Sequence, residues 1–202
     1  MDLVISAVES VIVDCVNGGK YVGFPAENVK AEDILRLVSN RVNGDFSVVD
    51  KIYVNMGPGS FTGIRASMAL VVGLTAGKNN QVVPFTTFDA FEYDKLTAGI
   101  VLAVNGFSNF VYVRYIKNRK IIQECITIDD LLALEKSGKT ILTYSSELIE
   151  RLQSCGGNPK RVELSLENVV KKHLKGALEK INFEPVYLRL SQAELQRKEN
   201  KK

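Results

Sequence analysis

Residues 57–63 read GPGSFTG and concentrate what in this chain could do chemistry. Three glycines, a proline and two hydroxyls stand between an apolar run, KIYVNM, and a helical one. Three uses of such a loop come into question. A glycine loop that opens a helix presents backbone N–H groups and the positive end of a dipole to an anion. The spacing fits neither phosphate template: a P-loop needs lysine after its last glycine, where Ile64 stands, and a dinucleotide fingerprint needs glycine at position 62, which is Thr62. The second use is nucleophilic, with Ser60 at a strand-to-helix turn. The string is not the G-x-S-x-G elbow, however, and a serine triad needs a base. The one histidine, His173, lies in VVKKHLKGALEK, where Lys171, Lys172 and Lys175 predict an exposed helix face. The third use is conformational. Pro58 fixes φ between Gly57 and Gly59, and Ser60 or Thr62 can cap the helix that follows. Gly57, Pro58, Gly59, Ser60, Thr62 and Gly63 then form a structural loop, and no catalytic residue is expected.

The elements that position this loop follow from hydrophobic period. Three strands open the chain, DLVISAV, SVIVDCV and KYVGFPA, the last two joined by the turn NGG. A helix AEDILRLVSNRV follows, with Ile34, Leu35, Val38 and Val42 on one face. Then come the strand KIYVNM, the glycine loop, a helix over 62–77, a strand QVVPF and a short helical stretch near TTFDAFEY. The second half repeats the order. Strands GIVLAVN, FVYVRYI and KIIQECITI lead to a helix IDDLLALEK, a strand TILTYS and a helix SELIERLQS, followed by a short strand near RVEL and the helix around His173. Two rounds of three strands, helix, strand, helix predict an α/β protein of duplicated lobes, each a mixed sheet with helices. The order is that of the actin-like, sugar-kinase-like (ribonuclease-H-like) architecture. The boundary falls near residues 95–99, giving an N-terminal lobe over 1–97 and a smaller C-terminal lobe over 98–202 with a basic tail.

The helix after the loop has its own message. Ala66, Ala69, Gly73 and Ala76 fall at spacings of three, four and three, a stripe of small side chains that admits another helix closer than the usual ~8–10 Å. Ile64, Met68, Val71 and Thr75 form a neighbouring face. A mid-helix glycine costs about 1 kcal/mol against alanine. The partner helix belongs either to the same lobe or to another subunit. Arg65, a cation in the first turn where the dipole disfavours it, fits best opposite a carboxylate at an interface or junction.

Composition narrows the classes. At 202 residues with 46% hydrophobic content, the chain can bury a core without staples. Cys15, Cys125 and Cys155 are distant and odd in number, which excludes a disulfide framework or zinc ribbon, and one histidine leaves no transition-metal set. No metal site is expected. The opening MDLVISAVESVIV carries acids and no basic leader, so it reads as a strand, and no run reaches the ~18 apolar residues of a membrane span. The expectation is a cytoplasmic protein without membrane contact. Net charge is +3, with the excess in the tail LQRKENKK.

The string GPGSFTGIR (57–65), after the strand IYVNM, resembles the signature of the TsaB (YeaZ) family, and EPVYLRLSQAE (184–194) resembles that family's closing P-x-Y-L-R segment. The resemblance implies an actin-like fold without catalysis of its own. It also implies partnership with a TsaD-like transferase and a TsaE-like ATPase in threonylcarbamoylation of the adenosine beside the anticodon of tRNAs reading ANN codons. ATP and magnesium would belong to the partner subunits, with no cofactor in this chain; the chain alone would form a homodimer, and tRNA contact would be indirect. In the family the first two helices build the contact with TsaD, which implies an interface at Glu32, Leu35, Arg65, Ala66, Ala69, Gly73 and Ala76. Two departures stand out. The first strand ends in SAVES (6–10) where members commonly have an Asp-Thr-Ser-like stretch, and VKAEDIL keeps Glu32 but lacks the family's histidine. A rival class is a sugar-kinase-type enzyme with GPGSFTG on phosphate and Asp14 or Asp50 on magnesium. A protease is a third.

Overall fold

Alternating apolar residues build two sheets that repeat one topology. In the computed structural model, which describes residues 1–25, 33–93 and 95–188, strands β1 (Asp2–Ser6), β2 (Ile12–Asn17) and β3 (Lys20–Val22) form an antiparallel meander. Strands β4 (Lys51–Asn55) and β5 (Gln81–Phe85) add in parallel on the other side of β1, giving the order β3-β2-β1-β4-β5. Helix α1 (Ile34–Arg41) precedes β4, and α2 (Phe61–Thr75) connects β4 to β5. The second sheet uses β6 (Ile100–Asn105), β7 (Phe110–Lys117), β8 (Lys120–Thr127), β9 (Thr140–Thr143) and β10 (Lys160–Arg161) in the order β10-β9-β6-β7-β8, the same path retraced. Helices α3 (Ile128–Lys136) and α4 (Ser146–Ser154) take the places of α1 and α2. This is the duplicated α/β arrangement expected, with two mixed sheets of the actin-like, ribonuclease-H-like class.

The first sheet is covered on both faces. On one, Leu3, Ile5, Val13 and Cys15 pack with Ile52, Val54 and Met56 of β4 and its end, against Ile34, Leu37 and Val38 of α1 and Val71 of α2. Leu37, rather than Leu35, completes the inward arc of α1; Leu35 stands one position round the helix and is 54% exposed. On the opposite face Val4, Tyr53, Val83 and Phe85 receive Leu166, Val169 and Val170 of α5 (Leu166–Leu174).

That docking moves the lobe boundary. One compact unit comprises Met1–Glu92 together with Glu163–Val186, and a second contains Tyr93–Val162. Residues 163–186, expected in the second lobe, return to the first because the apolar stripe of α5 has its complement there. Two backbone bonds tie the return, Glu92 N–H to Glu163 O at 2.9 Å and Ser165 N–H to Ala90 O at 2.8 Å. Beyond α5, Ile181, Phe183 and Val186 pack against the core on the α1–α2 face.

Candidate functional site

The glycine loop is held by the ends of three neighbouring strands. Asn55, the last residue of β4 and fully buried, accepts from the Gly57 N–H at 2.9 Å and donates through its amide to Ser6 Oγ of β1 at 3.1 Å. Thr87, just past β5, donates its hydroxyl to Pro58 O at 2.7 Å and lies 3.2 Å from Asn55 Oδ1, while its N–H donates to Gly57 O at 2.8 Å. The turn that carries Thr87 is closed by a reciprocal cap between Thr86 and Asp89. On the other side, the Ser60 N–H donates to Val8 O at 2.7 Å. Ser60, not Thr62, caps α2, its hydroxyl accepting from Gly63 N–H at 3.2 Å; Thr62 is exposed.

Three glycines of the loop are required by the space or the backbone; at Gly59 a Cβ would stand 2.5 Å from Val8 Cβ and 2.9 Å from Val8 O. A Cβ on Gly63 would stand 1.7 Å from Ala7 O, so only glycine lets α2 lie directly on the end of β1. Gly57 has φ +100°, in the region that favours glycine, and a Cβ there would meet Ile64 Cδ1 at 2.8 Å. The loop is therefore a bolt between β1, β4 and β5. Its amides at 57, 60 and 63 are directed to Asn55, Val8 and Ser60, within the chain.

The other candidates for chemistry lie elsewhere. Asp50 sits before β4, at the strand end remote from the loop, and accepts from the Met1 amine at 2.6 Å. Asp14 pairs in register with Val4, mid-sheet, and is buried. Its carboxylate accepts from the Tyr21 hydroxyl and, at 2.8 Å, from Phe24 N–H. Burial raises its pKa, and these two bonds with Arg41 only partly oppose the rise. Ser60 Oγ serves as a cap, and His173 is on the opposite face of the sheet from α2. The exposed face expected for His173 is not what α5 presents. The imidazole is half-buried, edge-on to Tyr53 at 5.3 Å between centroids, because α5 packs on the first sheet. Burial, followed by the nearby Lys51 ammonium, lowers its pKa. Among the described residues, no group of three His, Cys, Asp or Glu side chains is placed to hold a metal ion. No helix among them is long and apolar enough to cross a membrane.

The small stripe of α2 faces outward. Ala69, Gly73 and Ala76 are exposed, Ala66 is half-buried, and a Cβ on Gly73 would meet nothing within 4 Å. The close approach that Gly73 permits is thus unused among the described residues. Phe61 and Val72, 40% and 57% exposed, flank the stripe. Arg65 is exposed and its guanidinium lies over the Phe61 ring, 3.9 Å from the centroid. Leu35 projects from the adjoining helix α1. Glu32 and the segment from 189 onward, including most of the second family-like string and the basic tail, lie outside the described residues.

Reading by residue type missed Asn55, Thr87 and Ser6. An asparagine two residues before a glycine is a turn signal that could have exposed the first. Thr87 and Ser6 are remote in sequence and meet the loop only through strand order.

Comparison with known proteins agrees with this architecture. No curated protein matches the chain. Among solved structures, YeaZ from Pseudomonas aeruginosa is similar at 17% identity, with a TM-score of 0.63, covering 93% of this chain and 99% of that one. A second structure, described as an uncharacterized protein with similarity to peptidase YEAZ from the same organism, matches at 18% identity and TM-score 0.64 with the same coverage. At such identities the likeness establishes the fold. The family model described as TsaD, tRNA N6-adenosine threonylcarbamoyltransferase, matches residues 28–166, well over half of the sequence. The chain belongs to that family.

Proposed function

We propose that this chain is a non-catalytic partner subunit. It docks a TsaD-like transferase through α2 and the adjoining surface of α1, and so supports threonylcarbamoylation of adenosine next to the anticodon of tRNAs reading ANN codons. The observation that carries the reading is the outward face of α2. Thr62, Ala69, Val72, Gly73 and Ala76 are exposed there, with Arg65 the single charge in the helix. A helix apolar nearly all round is built to be covered, and small residues let the covering helix come close. Leu35, Phe61 and Val72 supply apolar area around the stripe, and Arg65 the polar contact.

The same face serves a homodimer when the chain is alone. ATP and magnesium reside on the partners, the transferase and a TsaE-like ATPase, and tRNA contact is indirect. Family membership supports the pathway; the engaged amides of the glycine loop count against the sugar-kinase alternative.

Size-exclusion chromatography with light scattering, on the chain alone and mixed with the TsaD-like transferase of the same source, tests the proposal. A one-to-one complex is expected. Two separate species, with or without nucleotide, would overturn it. Calorimetry with Mg-ATP on the isolated chain should show no binding heat, and tight binding would restore the kinase reading.

A further inference from the structure

A cavity of about 250 Å³ opens on the α5 face of the first sheet, at the strand ends remote from the glycine loop. That is far more than the roughly 30 Å³ share of one water. All of its walls belong to the first compact unit. Val16, Val170 and Leu174 make the apolar side, with Leu174 at the rim, 71% exposed. Asp2, Asp50 and Tyr53 make the polar side.

The polar groups are unequally engaged. Asp50 accepts from the Met1 amine at 2.6 Å, whereas Asp2 has no hydrogen-bond or ion-pair partner among the described residues. Lys51 stands beside Asp2 in the β1–β4 register, but its ammonium lies over the Tyr53 ring, 5.8 Å from the centroid. Tyr53 pairs in register with Val4, two residues beyond Asp2, so alternation puts the phenol and the carboxylate on one face. Tyr53 is 1% exposed, yet its hydroxyl also has no hydrogen-bond partner among the described residues. A buried hydroxyl without a partner is a cost that calls for a reason. The oxygen is not among the fully enclosed polar atoms that lack partners, so it opens on the cavity that Tyr53 lines. Burial first, and then the Asp2 charge, push the Tyr53 pKa up to about 12.

We propose that this cavity binds a primary alkylammonium ion, its charged end on Asp2 and Tyr53 and its carbon chain on Val16, Val170 and Leu174. An ammonium carries three donors and no acceptor, and the site offers it an unpaired carboxylate and a phenol oxygen. The bond to Asp2 is charge-assisted, the stronger kind. An anion would instead meet the Asp2 charge. A divalent cation needs more oxygen ligands than these, and no group of three His, Cys, Asp or Glu among the described residues could supply them. The apolar wall gives the carbon chain its place. The ammonium belongs either to a free amine or to the lysine side chain of another protein. The cavity lies on the opposite face of the sheet from α2, so it does not depend on the docking proposed for that helix.

Titration of the isotope-labelled full chain with n-butylammonium, followed by NMR at the amides of Asp2, Gly18, Gly19 and Tyr53, tests this. Saturable shifts confined to the cavity are expected, with n-butanol, which has the same chain without the charge, binding at least several-fold more weakly. Asp2→Asn should abolish the shifts and Tyr53→Phe should weaken binding a few-fold. The Tyr53 hydroxyl has no partner to lose, so Tyr53→Phe should melt no lower than the native chain; circular dichroism establishes folding of both variants. Tighter binding of N-acetyl-lysine methylamide than of n-butylammonium would identify the occupant as a protein lysine, and weaker binding as a free amine. No saturable shift with n-butylammonium, equal binding of n-butanol, or native-strength binding by folded Asp2→Asn would each overturn the proposal.

Discussion

The two strand-to-helix junctions that occupy equivalent places in the duplicated sheets begin alike and end differently. Asn55 closes β4 by accepting from the N–H two residues on, and Thr143 closes β9 in the same way, accepting from Ser145 N–H at 3.3 Å. Ser60 caps α2 through the N–H of residue 63, and Ser145 caps α4 through that of residue 148. At that third position the halves part. Leu148 is fully buried and fills the space under α4, whereas Gly63 leaves none and brings α2 onto Ala7. The outward faces part as well: α4 shows Glu147, Glu150 and Gln153 to solvent, while α2 shows Ala69, Val72 and Gly73. The second junction makes an ordinary solvated helix. The first differs both beneath the helix, in its bolted loop, and on its outer face, where Arg65 is the single charge and small residues form a stripe. One scaffold thus yields a charged, solvated helix in one half and, in the other, a helix with small residues on its outer face, the one the proposed function uses for docking.

The comparison is broken most severely by exchanging the third position. Gly63→Leu should destabilise the chain by more than about 3 kcal/mol or prevent folding, since the new side chain starts inside Ala7. Leu148→Ala at the equivalent site leaves a cavity instead, costing about 2–5 kcal/mol. Urea unfolding measures both. Next in size is Thr87→Val, which strips Pro58 O of its buried hydroxyl donor and should cost about 1–3 kcal/mol in the same experiment, with Thr87→Ser restoring most of it. Gly73→Ala sharpens the contrast between inner and outer faces. With open space around it, the added methyl should stabilise the isolated chain by roughly 0.5–1 kcal/mol; a loss would show that Gly73 is already covered within the chain.

The smallest effect concerns His173. Its folded-state pKa is lowered by burial and Lys51, so the unfolded chain binds the extra proton more readily. Its contribution to stability is complete above the usual histidine range near 6.5 and falls as pH drops through that range toward the folded pKa. The melting temperature should decline slightly more between pH 7.5 and 5.5 for the native chain than for His173→Gln. Equal declines would contradict the half-buried placement.

Much of the fold was legible because period two and turn residues mark strands locally, and because the element order occurs twice. The loop was legible as a specified turn from its glycines and Pro58, and the small stripe from its spacing. What escaped depends on distant partners. Lysines beside His173 signal solvent, but Val169 and Val170 on the other side of α5 commit that helix to the first sheet. Nothing local in α5 says which of two similar sheets it will join, so the return at Glu163 was hidden. Leu35 and Leu37 are equally apolar, and only the arc actually facing β1 and β2 separates core from surface. Gly63 looked like a turn residue, whereas its necessity comes from Ala7, more than fifty positions away.

The central claim, that α2 is a docking helix, is tested most directly by Gly73→Leu. Association with the TsaD-like transferase should be measured by calorimetry, beside circular dichroism and thermal melting of the variant alone. Abolished binding with an unchanged spectrum and a melting temperature no lower than that of the native chain is the predicted result. Native-strength binding by Gly73→Leu would contradict it and take the α2 stripe out of the interface.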